Sequence, residues 1–357
     1  KLNTTILDYK MYNQIEIELK PMLFYENKNT FINVGNKKPF IHVYINNDDK
    51  EFYSYSLESV IKIISIKIKI DYEIKSLQGL FKNCECLEEI KVIKCNRKDI
   101  IDMSELFYGC RNLYKLNLYN LKTDQVTDMS YMFYGCSSLK EIDILNFNTQ
   151  NVINMQNMFE NCSNITKLNF YAFNTSKLIY MNDMFHGCTS LEKLNIYDFD
   201  TSNVITMSYI FYNCSSLEKL YLTNFNTSKV IDMSYMFYNC KMLKILNISK
   251  FNTSNVINMT KMFGECKELN YLDISNFDIK KRTRINNMFY HCNTSLKEKI
   301  RKQIKNINDN AFKDEEENAY NNYYNNAYRP PIFFSNNFNL FSNSFYGSTP
   351  FRYSDYY

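Results

Sequence analysis

Tryptophan is absent from this 357-residue chain, and histidine occurs three times, as His42, His186 and His291, in three unrelated contexts. No Ser–His–Asp order can be assembled from them, and the seven glycines form no phosphate-binding loop, so no catalytic residue is expected. The missing tryptophan, beside abundant Asn, Ile, Lys and Tyr, has the look of codon bias and carries no functional weight. Long apolar runs are also missing. The longest, Val60 to Ile70, is interrupted by Lys62, Lys67 and Lys69 and is no transmembrane helix. Neither sign of charge dominates: the formal net charge is +4 and 22% of residues are charged, which excludes a basic footprint for nucleic acid. The chain opens on Lys1 with no signal peptide visible, which leaves the compartment open.

What the sequence does have is a ruler. Cysteine returns every 26 residues at Cys84, Cys110, Cys136, Cys162, Cys188, Cys214, Cys240, Cys266 and Cys292, with a Phe three residues before each, from Phe81 to Phe289. A strict period of this length means one unit stacked on copies of itself. Equivalent Cα atoms about 4.8 Å apart fall within disulfide reach. Inward side chains running in parallel do not face each other, however, so buried free thiols are expected. Cys86 and Cys95 fall outside the period; with Cys84 they form a loose cluster, and with no histidine near no metal site is expected there.

Within one period, Met129, Met132, Phe133 and Cys136 lie at i, i+3, i+4 and i+7, which predicts one face of a short helix. Asp128 is its expected N-cap, a slot held elsewhere by Ser76, Asp102, Asn154, Thr206, Asp232 and Asn258. The residue before the cysteine is Gly or Asn in most periods, as at Asn83, Gly109, Gly135 and Gly187, which suits a left-handed helix end. After the cysteine, Leu139, Ile142 and Ile144 follow an L-x-x-L-x-I pattern whose second half predicts a short strand, paired in parallel with its neighbours. An inward Phe147 and an Asn148-Thr149 turn complete the unit, the latter expected to form polar ladders. The prediction is an α/β repeat: a solenoid of about nine 26-residue turns, each with a short parallel strand and a helix of about six residues, too short to persist without its neighbours.

The run Leu-x-x-Leu-x-Ile, Phe-Asn-Thr-Ser-x-Val, Met-Ser-Tyr-Met-Phe-Tyr-x-Cys, best seen over Val126–Leu139, Val204–Leu217 and Val230–Leu243, resembles the 26-residue bacterial surface protein repeat. That repeat belongs to the BspA-like leucine-rich repeats, the DUF285 type. The resemblance covers about residues 76–296 and implies a leucine-rich-repeat solenoid, protein binding, cell-surface exposure and adhesion. It brings no catalytic residue and no cofactor.

The flanks do not repeat. Residues 1–75, with Ile15–Ile17–Leu19, Phe40–His42–Tyr44, Ile61–Ile63 and Ile66–Ile68–Ile70, predict a β-rich cap or small module. Leu296, Ile300 and Ile304 predict a capping helix over 297–305, and 306–357 is a low-complexity Asn/Tyr/Phe tail expected to be disordered.

Function is therefore sought on the outward strand positions. One column runs Asn117, Asp143, Asn169, Asn195, Tyr221; its neighbour runs Tyr119, Leu145, Tyr171, Tyr197; a third holds Lys115, Glu141, Lys167, Lys193 and Lys219. Tyr, Asn and Lys on a rigid sheet form a strip suited to a protein or surface glycan. The candidate binding residues are the first two columns. A helix-face tyrosine row, Tyr108, Tyr134, Tyr212 and Tyr238, is repeat-encoded and reads as packing. The alternative is a structural or scaffolding protein that assembles through its flanks or solenoid ends, in the cytoplasm rather than at a surface.

Overall fold

From the residue after a coil's Asx-type residue to its cysteine, the backbone N–H groups alternate between two kinds of backbone acceptor, apart from the one bound by the Asx side chain, and the alternation defines the fold. Met129, Tyr131, Phe133 and Gly135 donate to Asn154, Gln156, Met158 and Glu160 of the next coil, at 2.7–3.0 Å. Between them, Met132, Tyr134 and Cys136 donate to the carbonyl three residues back, on Met129, Tyr131 and Phe133. An α-helix would send every N–H four residues back; here half of them leave the coil. Two left-handed residues per coil, four apart, reverse the chain: Tyr131 at φ 57° and Gly135 at φ 67°, repeated at Asp183 and Gly187, and at Tyr209 and Asn213. The helix expected in each turn is therefore a run of tight β-turns. The expected N-caps remain in place as turn starters: Asp128 and Asp232 accept from the N–H two residues on, at 2.8 Å.

The computed structural model describes residues 14–22, 30–57, 63–305 and 307–314. Ile61 and the chain beyond Asp314 lie outside them. The strands are β1 (Ile15–Pro21), β2 (Ile41–Ile45), β3 (Ile66–Ile70), β4 (Leu87–Cys95), and the three-residue β5 (Lys115–Asn117), β6 (Lys167–Asn169), β7 (Lys193–Asn195), β8 (Lys219–Tyr221), β9 (Ile245–Asn247) and β10 (Tyr271–Asp273). The short strands pair in parallel, in register one period apart. They form no single ribbon: no strand is assigned at Glu141–Asp143, and the sheet breaks again between β7 and β8.

The molecule is a β-solenoid with about seven regular coils, not nine. The two end periods are diverted. The strand after Cys84 lengthens into β4 and pairs antiparallel with β1, and the chain after Cys292 enters helix α1 (Thr294–Gln303).

Columns of identical side chains fill the core. The rings of Phe81, Phe107, Phe133, Phe159, Phe185, Phe211, Phe237, Phe263 and Phe289 stack in turn with centroids 5.0–6.2 Å apart. All eleven cysteines are free and buried. From Cys110 to Cys292 each repeat thiol donates to the carbonyl of the Phe one coil back, as Cys188 does to Phe159 at 3.1 Å. Burial pushes the Cys136 and Cys240 thiols up to about 12, so they are inert donors rather than nucleophiles. At the opposite corner the ladder is made by threonine, not asparagine. Buried Thr201 Oγ1 donates to Asn226 O at 2.9 Å and accepts from Asn226 N at 2.8 Å. The Asn side chains close their own turns, as Asn226 does with Ser228 N.

At the N-terminal end, β2, β3, β1, β4 and β5 form one sheet in that order, so the β-rich segment continues directly into the first coil. Arg97 fills the first threonine slot: it is buried, pairs with Asp99 at 2.7 Å and donates to Asp71 O at 2.8 Å. Glu89 ties β1 to β5 by accepting from Lys20 and Lys115, at 2.7 and 2.8 Å. Those hydrogen bonds, Lys115 first, hold its carboxyl down at about 2. Both lysines are largely exposed, so Glu89→Gln is expected to cost about 0.5–1 kcal/mol at neutral pH. A depressed carboxylate stabilises above its unfolded pKa of about 4.3, and that gain is lost as pH falls towards 2. Urea unfolding should therefore show the gap between variant and wild type closing in acid.

At the other end, Asn293 caps α1 by accepting from Leu296 N at 2.8 Å, and Leu296 and Ile300 are buried. Residues 307–314, assigned by composition to the tail, are part of the folded body. Asn287 N and Phe289 N donate to Asn310 O and Ala311 O, and Phe312 stacks on Phe289 at 5.3 Å. This segment is a final half-coil. No helix of the described residues is long and apolar enough to cross a membrane.

Candidate functional site

Two surfaces of the solenoid carry rows of aromatic groups, exposed on the strand face and half-buried over the turns. On the strand face, Tyr119, Leu145, Tyr171 and Tyr197 occupy one column on four successive coils, 36–66% exposed. Tyr221 continues the line one column across, in the slot where its neighbours carry Asn195 and Asn247. Ile245 and Tyr271 carry it on in the third column. The result is a diagonal apolar line with one side chain per coil. A shallow groove beside it over β6–β8 is lined by Lys167, Lys193, Asn195, Tyr197 and Tyr221 among others.

The asparagine column acts locally. Asn117, Asp143, Asn169 and Asn195 each accept from the N–H two residues on, at 3.1–3.4 Å, which turns the chain out of the strand. They orient the large residue two places on, Tyr119, Leu145, Tyr171 or Tyr197, rather than pointing freely at solvent. Asn195 also donates to Asn169 at 3.0 Å, a single rung of a side-chain ladder. Ile245 and Tyr271 were missed by sequence reasoning. The available signal was that the third column, Lys-rich through Lys219, turns apolar at these two positions.

The second surface lies over the tight turns. Tyr108 stacks on Tyr134 at 4.4 Å, Tyr209 on Tyr235 at 4.6 Å and Tyr212 on Tyr238 at 5.1 Å. Between these blocks, Asn157, Glu160, Asp183 and His186 occupy the slots that Tyr131 and Tyr134 fill in the preceding coil. His186 Nδ1 lies 3.0 Å from Asp183 Oδ1 and 3.8 Å from Glu160 Oε1, and its ring leans on Tyr212 at 4.6 Å. Burial pushes the Glu160 carboxyl up to about 7, against the pull of His186. For His186 burial opposes the charge, but the bond to Asp183 and the charge of Glu160 outweigh it and raise its pKa. From sequence, His186 is visible as a residue in a tyrosine slot, but not what closes around it. Glu160 is in the same slot one period earlier, and Asp183 is three residues before His186.

Stacked coils joined by parallel bridges, a buried aromatic column and inter-coil polar ladders define a repeat protein of the β-solenoid class. Three overlapping segments, 75–171, 140–221 and 218–326, match the family described as "Mycoplasma protein of unknown function, DUF285". The chain belongs to the DUF285 family. No curated protein matches it.

Proposed function

We propose that this chain is a non-enzymatic binding protein whose strand face recognises another protein or a surface glycan, in the way implied by its resemblance to the BspA-like leucine-rich repeats, with adhesion at a cell surface as its setting. The supporting observation is the diagonal line from Tyr119 through Tyr197 and Tyr221 to Tyr271, one large apolar side chain per coil, each at least 36% exposed. A face kept only for solubility has no use for such a line, because contiguous exposed apolar area is costly unless something covers it. Tyrosine suits recognition because it offers a rigid apolar ring and a polar tip at little entropic cost. The adjacent Lys115, Lys167, Lys193 and Lys219 add a charged rim.

A scaffolding role through the solenoid ends has less support. Among the described residues, β1 covers the strand edge of the first period, and Phe312 with α1 covers the last.

The test is the triple variant Tyr119→Ala, Tyr171→Ala, Tyr197→Ala, compared with wild type on glycan microarrays and on fixed cells. At about 1 kcal/mol or more for each truncated anchor, affinity should fall about 100-fold or more. Unchanged binding with an unchanged circular dichroism spectrum and Tm would remove the strand face from consideration.

A further inference from the structure

Two adjacent coils interrupt the tyrosine columns at both of their slots, and the groups placed there converge. Each carboxylate is anchored by one oxygen and presents the other. Glu160 Oε2 accepts from Asn157 Nδ2, and Asp183 Oδ2 accepts from Asn182 Nδ2 at 3.2 Å. Glu160 Oε1, which also takes a long bond of 3.4 Å from Asn161, and Asp183 Oδ1 are left facing His186 Nδ1. One ligand atom from each of the three residues lies within 4.8 Å of the other two.

We propose that Glu160, Asp183 and His186 bind a divalent transition-metal ion of the zinc type, through one imidazole nitrogen and two carboxylate oxygens.

Three physical arguments support this site. The first is spacing. Ligand atoms about 2.0–2.2 Å from a tetrahedral ion lie about 3.3–3.6 Å from each other. The separations of 3.8 and 3.0 Å from His186 Nδ1 bracket that range, so small side-chain shifts complete the set. The second is charge. Two ionised carboxylates and a neutral imidazole carry two negative charges, which a dication cancels. Without it, the second carboxylate has no cation of its own among the rings of Tyr131, Tyr209 and Tyr212, and burial there disfavours its charged form, a cost that a bound dication would offset. The third is support. Asn157 and Asn182 fix the far oxygens as outer-shell partners of a metal site do. The ligand side chains remain 13–21% exposed, so an ion can enter and a water can take the fourth position. An imidazole in the set favours zinc-like ions over magnesium or calcium.

The site is independent of the strand-face reading, because it lies on the turn face and involves none of those residues. The full chain, chelator-treated and kept reduced, is titrated with Zn²⁺ by calorimetry and thermal shift, and with Co²⁺ by absorption spectroscopy. One equivalent of Zn²⁺ should bind with micromolar or tighter affinity and raise Tm saturably. His186→Tyr, which installs the residue the repeat uses at this slot, should weaken binding about 100-fold or more, beyond the 10–100-fold of a lost outer-shell partner. Glu160→Gln serves as the second variant should His186→Tyr fail to fold. The Co²⁺ spectrum should lack a thiolate charge-transfer band, which separates this site from the eleven cysteines. Absence of saturable Zn²⁺ binding to wild type, wild-type affinity in a folded variant, or a thiolate band would overturn the assignment.

Discussion

Phe185→Ala is expected to lower stability by about 3–5 kcal/mol, about a fifth or more of the total for an ordinary domain. Phe185 is fully buried, stacks between Phe159 at 6.2 Å and Phe211 at 5.9 Å, and meets the edge of Phe170 at 5.6 Å. Truncation removes contact with both neighbouring coils at once. The inter-coil hydrogen bonds, such as Phe185 N to Ile210 O at 3.0 Å, hold the backbone so that the gap cannot close by collapse. In a repeat array stability is approximately a sum of unit and nearest-neighbour terms. The loss therefore falls on two interfaces near the middle of the stack. Urea unfolding followed by circular dichroism should show a lower midpoint and a broadened or split transition, as the halves uncouple. Phe185→Leu should recover most of the loss, because it refills most of the volume. A loss below about 1 kcal/mol would mean that Phe170 and its neighbours relax into the space.

Thr201→Val is expected to cost about 2 kcal/mol although it changes almost no volume. The hydroxyl of this buried threonine meets both backbone polar groups of Asn226 in the next coil, donating to O and accepting from N. Valine removes the partner of each and leaves them under a methyl group. Thr201→Ser, which keeps the oxygen and loses the methyl, should cost less, and that ordering is the discriminating result. If valine proves no worse than serine, water reaches Asn226 and the ladder contributes little.

These expectations also show what can be read from residues alone. The period, the inward phenylalanines, the free thiols and the parallel strands follow from apolar spacing, which a core enforces strictly. The helix does not follow, because tight turns of four-residue pitch send Met129, Met132, Phe133 and Cys136 inward with the same spacing as a helical face. The distinguishing mark is a second left-handed residue per coil. At Gly135 composition reveals it; four residues earlier the slot is filled by Asn157 and Asp183, which tolerate it, but also by Glu105, Tyr131, Tyr209, Tyr235 and Lys261, all at φ 52–57°, and Glu, Tyr and Lys do not announce such a conformation. A left-handed backbone costs such residues about 1 kcal/mol or more. The stacked coils can impose it because the same N–H groups are held from the next coil, as Tyr131 N is by Gln156 O. The strand-face columns are legible as outward positions. Their division of labour is not, since an Asx turn and a solvent-facing asparagine look the same in sequence. The Glu160–Asp183–His186 cluster is visible only when positions are compared one period apart.

The bonds that join coils are copies of one another: thiol to phenylalanine carbonyl across 29 residues, threonine hydroxyl to the following turn across 25. Duplicating or deleting one whole 26-residue segment inside the array puts every donor back beside an equivalent acceptor. An insertion of any other length throws the Phe, Cys and Thr columns out of step together. The gene can thus change the reach of the protein by copy number, without inventing a new interface. The two-coil polar interruption does not scale in this way. It keeps a fixed address, and each added copy would alter only its distance from one end.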